Sequence, residues 1–317
     1  MVLKIHDIIN GILNGDRRSI ARAISIVEDD EMVVEASEVI KGIYNHTGRA
    51  HVIGITGPPG IGKSTMIGRL ARILSDGNKK VSVIAVDASS PFSGGSLLGN
   101  RIRMQESLTE NGIFMRSLAN RGMNGGLSRS TWDAVKILDA AGNDYIIIET
   151  VGAGQADLDI VDLADTVIVV LGPGLGDEIQ AIKAGIMEIG DIFVVNKMDR
   201  DGSFLAMKDI QDSLAMTPQK EWKVPVIGLD SLKGKGYDEL VSEITKHGIL
   251  NVSRPNIRLD RFMKEVEMAL QAEIRRQYLL EARELLNSKD AIARLSEEKM
   301  DPYSAAMKIL KSGKAGL

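Results

Sequence analysis

Apolar positions in the first 49 residues recur three and four apart: Ile5, Ile8, Ile9 and Ile12, then Ile20, Ala23, Ile24 and Val27. That period predicts amphipathic helices, broken at Gly15-Asp16 and closed at Gly48. From residue 50 the rhythm changes. Short runs rich in Val and Ile appear at 51–56, 81–86, 145–150, 166–171, 191–196 and 224–229. They are continuously apolar, as expected of strands buried on both faces of a parallel sheet. Helical patterns separate most of them, which predicts right-handed βαβ crossovers with helices on both faces. After about residue 256 no strand pattern remains. Phe262, Val266, Leu270 and Ile274 form one stripe of a long helix, and Asp301-Pro302 reads as an N-cap and first position of a last helix. The expected organisation is a helical extension over 1–49, an α/β domain over 50–255 and a helical arm over 256–317.

The candidate chemistry falls after the strands, where open α/β sheets bind ligands. Gly57-Pro58-Pro59-Gly60-Ile61-Gly62-Lys63-Ser64 satisfies GxxxxGK[ST] between a strand and a helix that opens at Thr65. In that setting backbone N–H groups converge on phosphate oxygens and the helix N-terminus adds partial positive charge. Lys63 is then expected to reach the β- and γ-phosphates and Ser64 to join a Mg²⁺ shell. A glycine-proline turn that happens to precede a lysine is the plain alternative. Asn196-Lys197-Met198-Asp199 follows a later strand. There Asp199 would accept from the ring N1–H and exocyclic amine of guanine, a pattern adenine lacks, while the stem of Lys197 packs along the base. Ser231-Leu232, within Asp230-Ser231-Leu232-Lys233-Gly234, stands where a backbone loop usually supports the base, although a plain turn explains it equally well.

Two acids end strands near this presumed phosphate site, Asp87 and Glu149, and either could hold Mg²⁺ directly or through water. Glu149 leads into Thr150-Val151-Gly152-Ala153-Gly154-Gln155, whose glycines suit a switch that senses the γ-phosphate. Gln155 could orient the attacking water, but spacing alone favours an ordinary exposed glutamine. The glycine-bearing loops 90–96 and 120–126 read as switches or simple connections.

Composition narrows the function. The 317 residues contain no cysteine, which removes disulfides, thiolate nucleophiles and cysteine-built metal sites. Four histidines, at 6, 46, 51 and 247, show no metal-site spacing. A net charge of −4 and 4% aromatic residues argue against nucleic acid and anionic lipid as partners. No apolar run approaches the ~20 residues of a membrane span, and the N-terminus lacks a secretory pattern, so a cytoplasmic protein is expected.

Beyond these motifs the chain resembles the MeaB/ArgK family of P-loop GTPases, which includes a human protein linked to cobalamin metabolism. The likeness rests on AVDASSPFSGGSLLGNRIRM, ETVGAGQADLDIVDLADTVIVV, PGLGDEIQAIKAGIMEIGDIFVVNKMDRDG and DPYSAAMKIL. It implies a helical N-terminal extension, a central G domain and a C-terminal dimerisation arm. It further implies GTP/GDP as nucleotide and slow GTP hydrolysis, coupled to protecting or loading an adenosylcobalamin-dependent acyl-CoA mutase. By the family motifs Lys63, Ser64, Asp87 and Glu149 take the phosphate and Mg²⁺ roles, and segment 172–188 becomes a further switch facing the partner. One position departs: Asn100 stands where the family pattern has aspartate, so a metal ligand there would carry no charge. Two rival readings are an ATP-driven kinase component of amino-acid transport and a nickel-delivering GTPase. Asn196 to Asp199 weighs against the first. The shortage of soft and imidazole donors weighs against the second.

Overall fold

The computed structural model describes residues 4–88, 104–120, 127–150, 159–174, 185, 187–216, 222–252, 255–287, 293 and 300–314. Among the described residues seven strands form one sheet: β1 (His51–Thr56), β2 (Val81–Ala88), β3 (Phe114–Asn120), β4 (Tyr145–Glu149), β5 (Thr166–Leu171), β6 (Ile192–Asn196) and β7 (Val226–Leu229). Their order is β3-β2-β4-β1-β5-β6-β7, and each neighbouring pair is parallel. Every residue of β5 and β6 is buried, as the continuous apolar runs predict.

One face of the sheet carries α4 (Lys63–Asp76) and α8 (Tyr237–Val252). Met66, Ile67, Leu70 and Leu74 of α4 join Leu240 and Ile244 of α8 over Ile53, Ile55, Val83, Ile147 and Ile168 of the strands. Against β1 lies the short α6 (Ile160–Leu163), so close that a Cβ on Gly54 would stand 2.3 Å from Ile160 Cγ1. That strand position is glycine because another element occupies the space. The remaining helices of this unit include α5 (Arg129–Ala140) and α7 (Ser203–Ala215).

The first residues form three helices, α1 (Ile5–Leu13), α2 (Arg17–Glu28) and α3 (Val33–Ile43). All four apolar positions singled out on α2 are buried, and α1 buries Ile8 and Ile12. Asp16 caps α2 by accepting from Ser19 N at 2.8 Å and Ser19 Oγ at 2.7 Å, which holds its carboxyl below the ordinary value. The link into β1 is fixed by Asp139 of α5, which accepts from the backbone N–H groups of Gly48, Arg49 and Ala50. Arg116 of β3 donates to Glu28 at 2.7 Å and Ser25 at 3.2 Å, so α2 is also tied to the sheet edge.

Strand β3 lies outside the sequence expectation. Arg116, Ser117 and Asn120 interrupt its apolar run, as an edge strand with a single neighbour permits. The expected strands at 191–196 and 224–229 begin later, at Ile192 and Val226.

The chain divides into compact units at 1–261 and 262–317. Helix α9 (Pro255–Asn287) starts in the first and runs into the second, and α10 (Pro302–Lys314) lies in the second. Asp301 caps α10 through the N–H groups of Tyr303 and Ser304, both at 3.0 Å. On α9 the stripe Phe262, Val266, Leu270 and Ile274 is 49–60% exposed within this chain. Among the described residues no helix is long and apolar enough to cross a membrane.

At the amino ends of the strands a polar chain crosses the core. His51 Nε2 lies 2.8 Å from Thr166 Oγ1, which is 2.9 Å from His247 Nδ1, and His247 Nε2 approaches Asp191 at 3.4 Å. Asp165, beside it, accepts from Val52 N at 2.8 Å and from Arg261 at 2.6 Å. Burial depresses the His51 pKa, Asp165 opposes that, and His247 and Arg261 add to it. His51 is therefore harder to protonate in the fold than in the unfolded chain, where it titrates near the ordinary 6.5. Its stabilising share is complete above about pH 6.5 and is lost as pH falls through the lower folded value. His51→Gln should flatten the decline in urea-unfolding free energy as pH falls below about 6.5; an unchanged slope refutes this account of His51.

Candidate functional site

Thr56 ends β1 in the middle of the sheet, and the chain turns at once into the phosphate-type loop. Gly57 has φ +141°, and a Cβ there would lie 2.1 Å from the Val170 carbonyl oxygen of β5. Only glycine lets the loop leave the strand this close to a neighbouring backbone. Gly62, at φ +102°, ends the loop as the left-handed residue before Lys63 opens α4. Its N–H groups then face the carboxyl edge of the sheet, the position that favours an anion. Pro58, Pro59, Gly60 and Ile61 lie within the loop, and Thr65 is exposed in the first turn of the helix.

Lys63 is buried, and its Nζ donates to the carbonyls of Gly57 at 2.6 Å and Pro58 at 3.0 Å. Ser64 Oγ donates to Glu149 Oε1 at 2.7 Å, which brings the loop and the end of β4 together. Glu149 is buried at 4% exposure, and its Oε2 has no hydrogen-bond partner among the described residues. A buried carboxylate oxygen left open beside a hydroxyl fits a hard divalent cation that takes oxygen ligands. Asp87 is the penultimate residue of β2, two positions beyond Ala85, the register partner of Glu149. Its side chain lies outside the described residues, as do Asn100, Gln155 and most of segment 172–188.

The base-type loop follows β6. Asn196 is buried, with Nδ2 donating to the Ile61 carbonyl at 2.9 Å and Oδ1 accepting from Ser231 Oγ at 2.8 Å and Ser231 N at 3.3 Å. Lys197 takes φ +62°, uncommon for a residue with a side chain, and its Nζ donates to the Gly60 carbonyl at 2.8 Å. Met198 N donates to Leu229 O at 3.2 Å, while Asp199 is exposed beyond it. Ser231 is buried and Leu232 is 80% exposed, so the candidate base-supporting pair has one inward and one outward member.

Two residues of this region were not singled out by motif. Asp230 Oδ1 accepts from Leu232 N at 3.1 Å and Lys233 N at 2.9 Å, a turn that aspartate characteristically makes. The hydrogen bond from Lys233, above all, holds its carboxyl below the ordinary range. An Asp four residues before a glycine carries a trace of that turn in sequence. Arg69 of α4 donates through Nη1 to the Leu232 carbonyl at 3.1 Å. Its partner is 163 residues away, and no local pattern announces it.

Residues 20–283 match the family described as methylmalonyl-CoA mutase-associated GTPase MeaB. A Pyrococcus horikoshii protein described as a GTPase is 45% identical over 316 residues, 97% of this chain and 98% of its own. The mouse mitochondrial homologue of the methylmalonic aciduria type A protein is 33% identical over 247 residues, 73% of this chain and 60% of its own. A crystal structure described as LAO/AO transport system kinase aligns with a TM-score of 0.69 over 98% of this chain and 99% of that one. At 22% identity that likeness establishes a common fold and leaves the transport role with the other protein. The P-loop between β1 and α4, joined through Asn196 to the loop after β6, completes the case: this chain belongs to the MeaB family and is a P-loop GTPase.

Proposed function

We propose that the chain binds GTP across the carboxyl edge of the sheet and hydrolyses it slowly. In this reading it serves as a chaperone that protects or loads an adenosylcobalamin-dependent acyl-CoA mutase. The observation that carries the nucleotide half is the Asn196 side chain, which joins the phosphate-type loop at Ile61 to the loop after β7 at Ser231. The mutase half rests on the family description and on the mouse relative.

Gly57 to Thr65 wrap the phosphates, with the Lys63 ammonium, held on the loop's own carbonyls, giving its charge to the β- and γ-phosphate oxygens. Ser64, Asp87 and Glu149 hold Mg²⁺, with Asn100 beside them as a neutral oxygen donor. The ion, when bound, neutralises charge that develops on the transferring phosphoryl group. Asp199 accepts from guanine, Lys197 lies along the base, and Ser231 and Leu232 support it through the backbone. Gln155 orients water. The second unit, with its exposed stripe on α9, forms a homodimer, since a lone helix rarely keeps such a face in water.

Four outcomes test this reading. Asp199→Asn should weaken GTP binding about a hundredfold, at ~1.5–3 kcal/mol per hydrogen bond to a charged group, and improve binding of xanthosine triphosphate, whose base presents the complementary pattern. Unchanged GTP affinity by calorimetry removes Asp199 from the base site. A chain ending at Arg261 should be monomeric in light scattering and still bind nucleotide; a dimer of that length places the interface elsewhere. Asn100→Asp should raise GTP turnover and lower the Mg²⁺ concentration needed, and purified mutase should accelerate hydrolysis by the unaltered chain. Equal turnover and Mg²⁺ need in the variant take Asn100 away from the metal, and a mutase without effect counts against the chaperone role.

A further inference from the structure

Leu232 sits between two fixed peptide planes. Asp230 Oδ1 takes the N–H of Leu232 and of Lys233, and Arg69 Nη1 takes the Leu232 carbonyl. The guanidinium of Arg69 is held in its turn. Its central carbon lies 5.7 Å from the centroid of the Tyr237 ring, and a Cβ on Gly234 would stand 1.9 Å from its Nη2. Gly234 thus combines φ +76° with a flat surface against which the guanidinium packs. Tyr237 is buried, and its hydroxyl donates to Met66 O at 3.5 Å, which returns the chain of contacts to α4.

The turn from 230 to 235 needs no arginine to close. Asp230 N donates to Lys235 O at 3.1 Å and Gly234 N donates to Asp230 O at 2.7 Å, so the backbone closes the turn unaided. What the arginine adds is a link between this loop and the helix that opens with Lys63 and Ser64. A planar guanidinium that donates and stacks at once can fix direction as well as distance.

We propose that Arg69 is a positioning residue for guanine recognition: it orients the backbone of Ser231-Leu232 and locks it to the phosphate-binding helix. This rests on the base-site reading above and adds a residue that no motif contains. Arg69 acts through the loop, so its loss should weaken the grip on the base and leave phosphate chemistry alone.

The test uses the full chain with GTP and ATP as substrates. Arg69→Gln should raise the KM for GTP about tenfold, with kcat within about twofold of the unaltered chain and the preference for GTP over ATP reduced by a similar factor. Arg69→Lys, which keeps one donor and loses the stacking plane, should recover part of the KM. A merely structural role would instead lower the melting temperature and kcat together, and that result overturns the proposal. An unchanged KM in Arg69→Gln overturns it equally. Absence of GTP preference in the unaltered chain defeats the base-site reading itself, whatever Arg69 does.

Discussion

The carboxamide of Asn196 is 1% exposed and uses both of its ends, donating to the carbonyl of Ile61 and accepting from Ser231. Three loops that leave three different strands are thereby fixed relative to one another. A buried amide in this position must be fully paired, because each unmatched end would cost about 1–3 kcal/mol. The backbone around it conforms to that demand. Gly62 leaves room for the amide nitrogen, which would stand 2.6 Å from a Cβ there, and Gly172 keeps clear of Ile61 and of the Asn196 carbonyl. The distance between the phosphate-type and base-type loops is therefore fixed in the core by Asn196, and Lys197 Nζ on the Gly60 carbonyl adds a second tie nearer the surface.

The sheet supplies the rigidity on which this depends. Its two central neighbours of β1 are β4 and β5, so the loop after β1 emerges between Glu149 on one side and the Val170 carbonyl on the other. Close packing makes those approaches discrete: Gly54 against Ile160 and Gly57 against Val170 leave no space for a methyl group. Polar chemistry is split between the two edges. At the carboxyl edge a carboxylate oxygen of Glu149 is left open, whereas at the amino edge His51, Thr166, His247 and Asp191 form a continuous chain of contacts.

Much of this molecule is written locally in its sequence. The strand from His51 to Thr56, the glycine-rich loop and the opening of α4 are encoded within about fifteen residues, because burial on both faces, positive φ and helix initiation are local demands. The same holds for the Asp16 and Asp301 caps and for the stripe on α2. The proposal that Lys63, Ser64, Asn196 and Asp199 form a nucleotide set draws on residue type and order alone.

Tertiary structure decided what no local window contains. The strand from Phe114 to Asn120 became part of the sheet because β2 offered an edge, and Arg116 could face Glu28 there, although its polar residues hide it in the sequence. Lys63 turning onto Gly57 and Pro58, Glu149 receiving Ser64, and Arg69 reaching Leu232 all join groups that are distant in sequence or set by the loop's closed shape. Periodicity reports how a residue meets its own element, whereas these contacts depend on strand order, which is set by how the strands bury their apolar faces together.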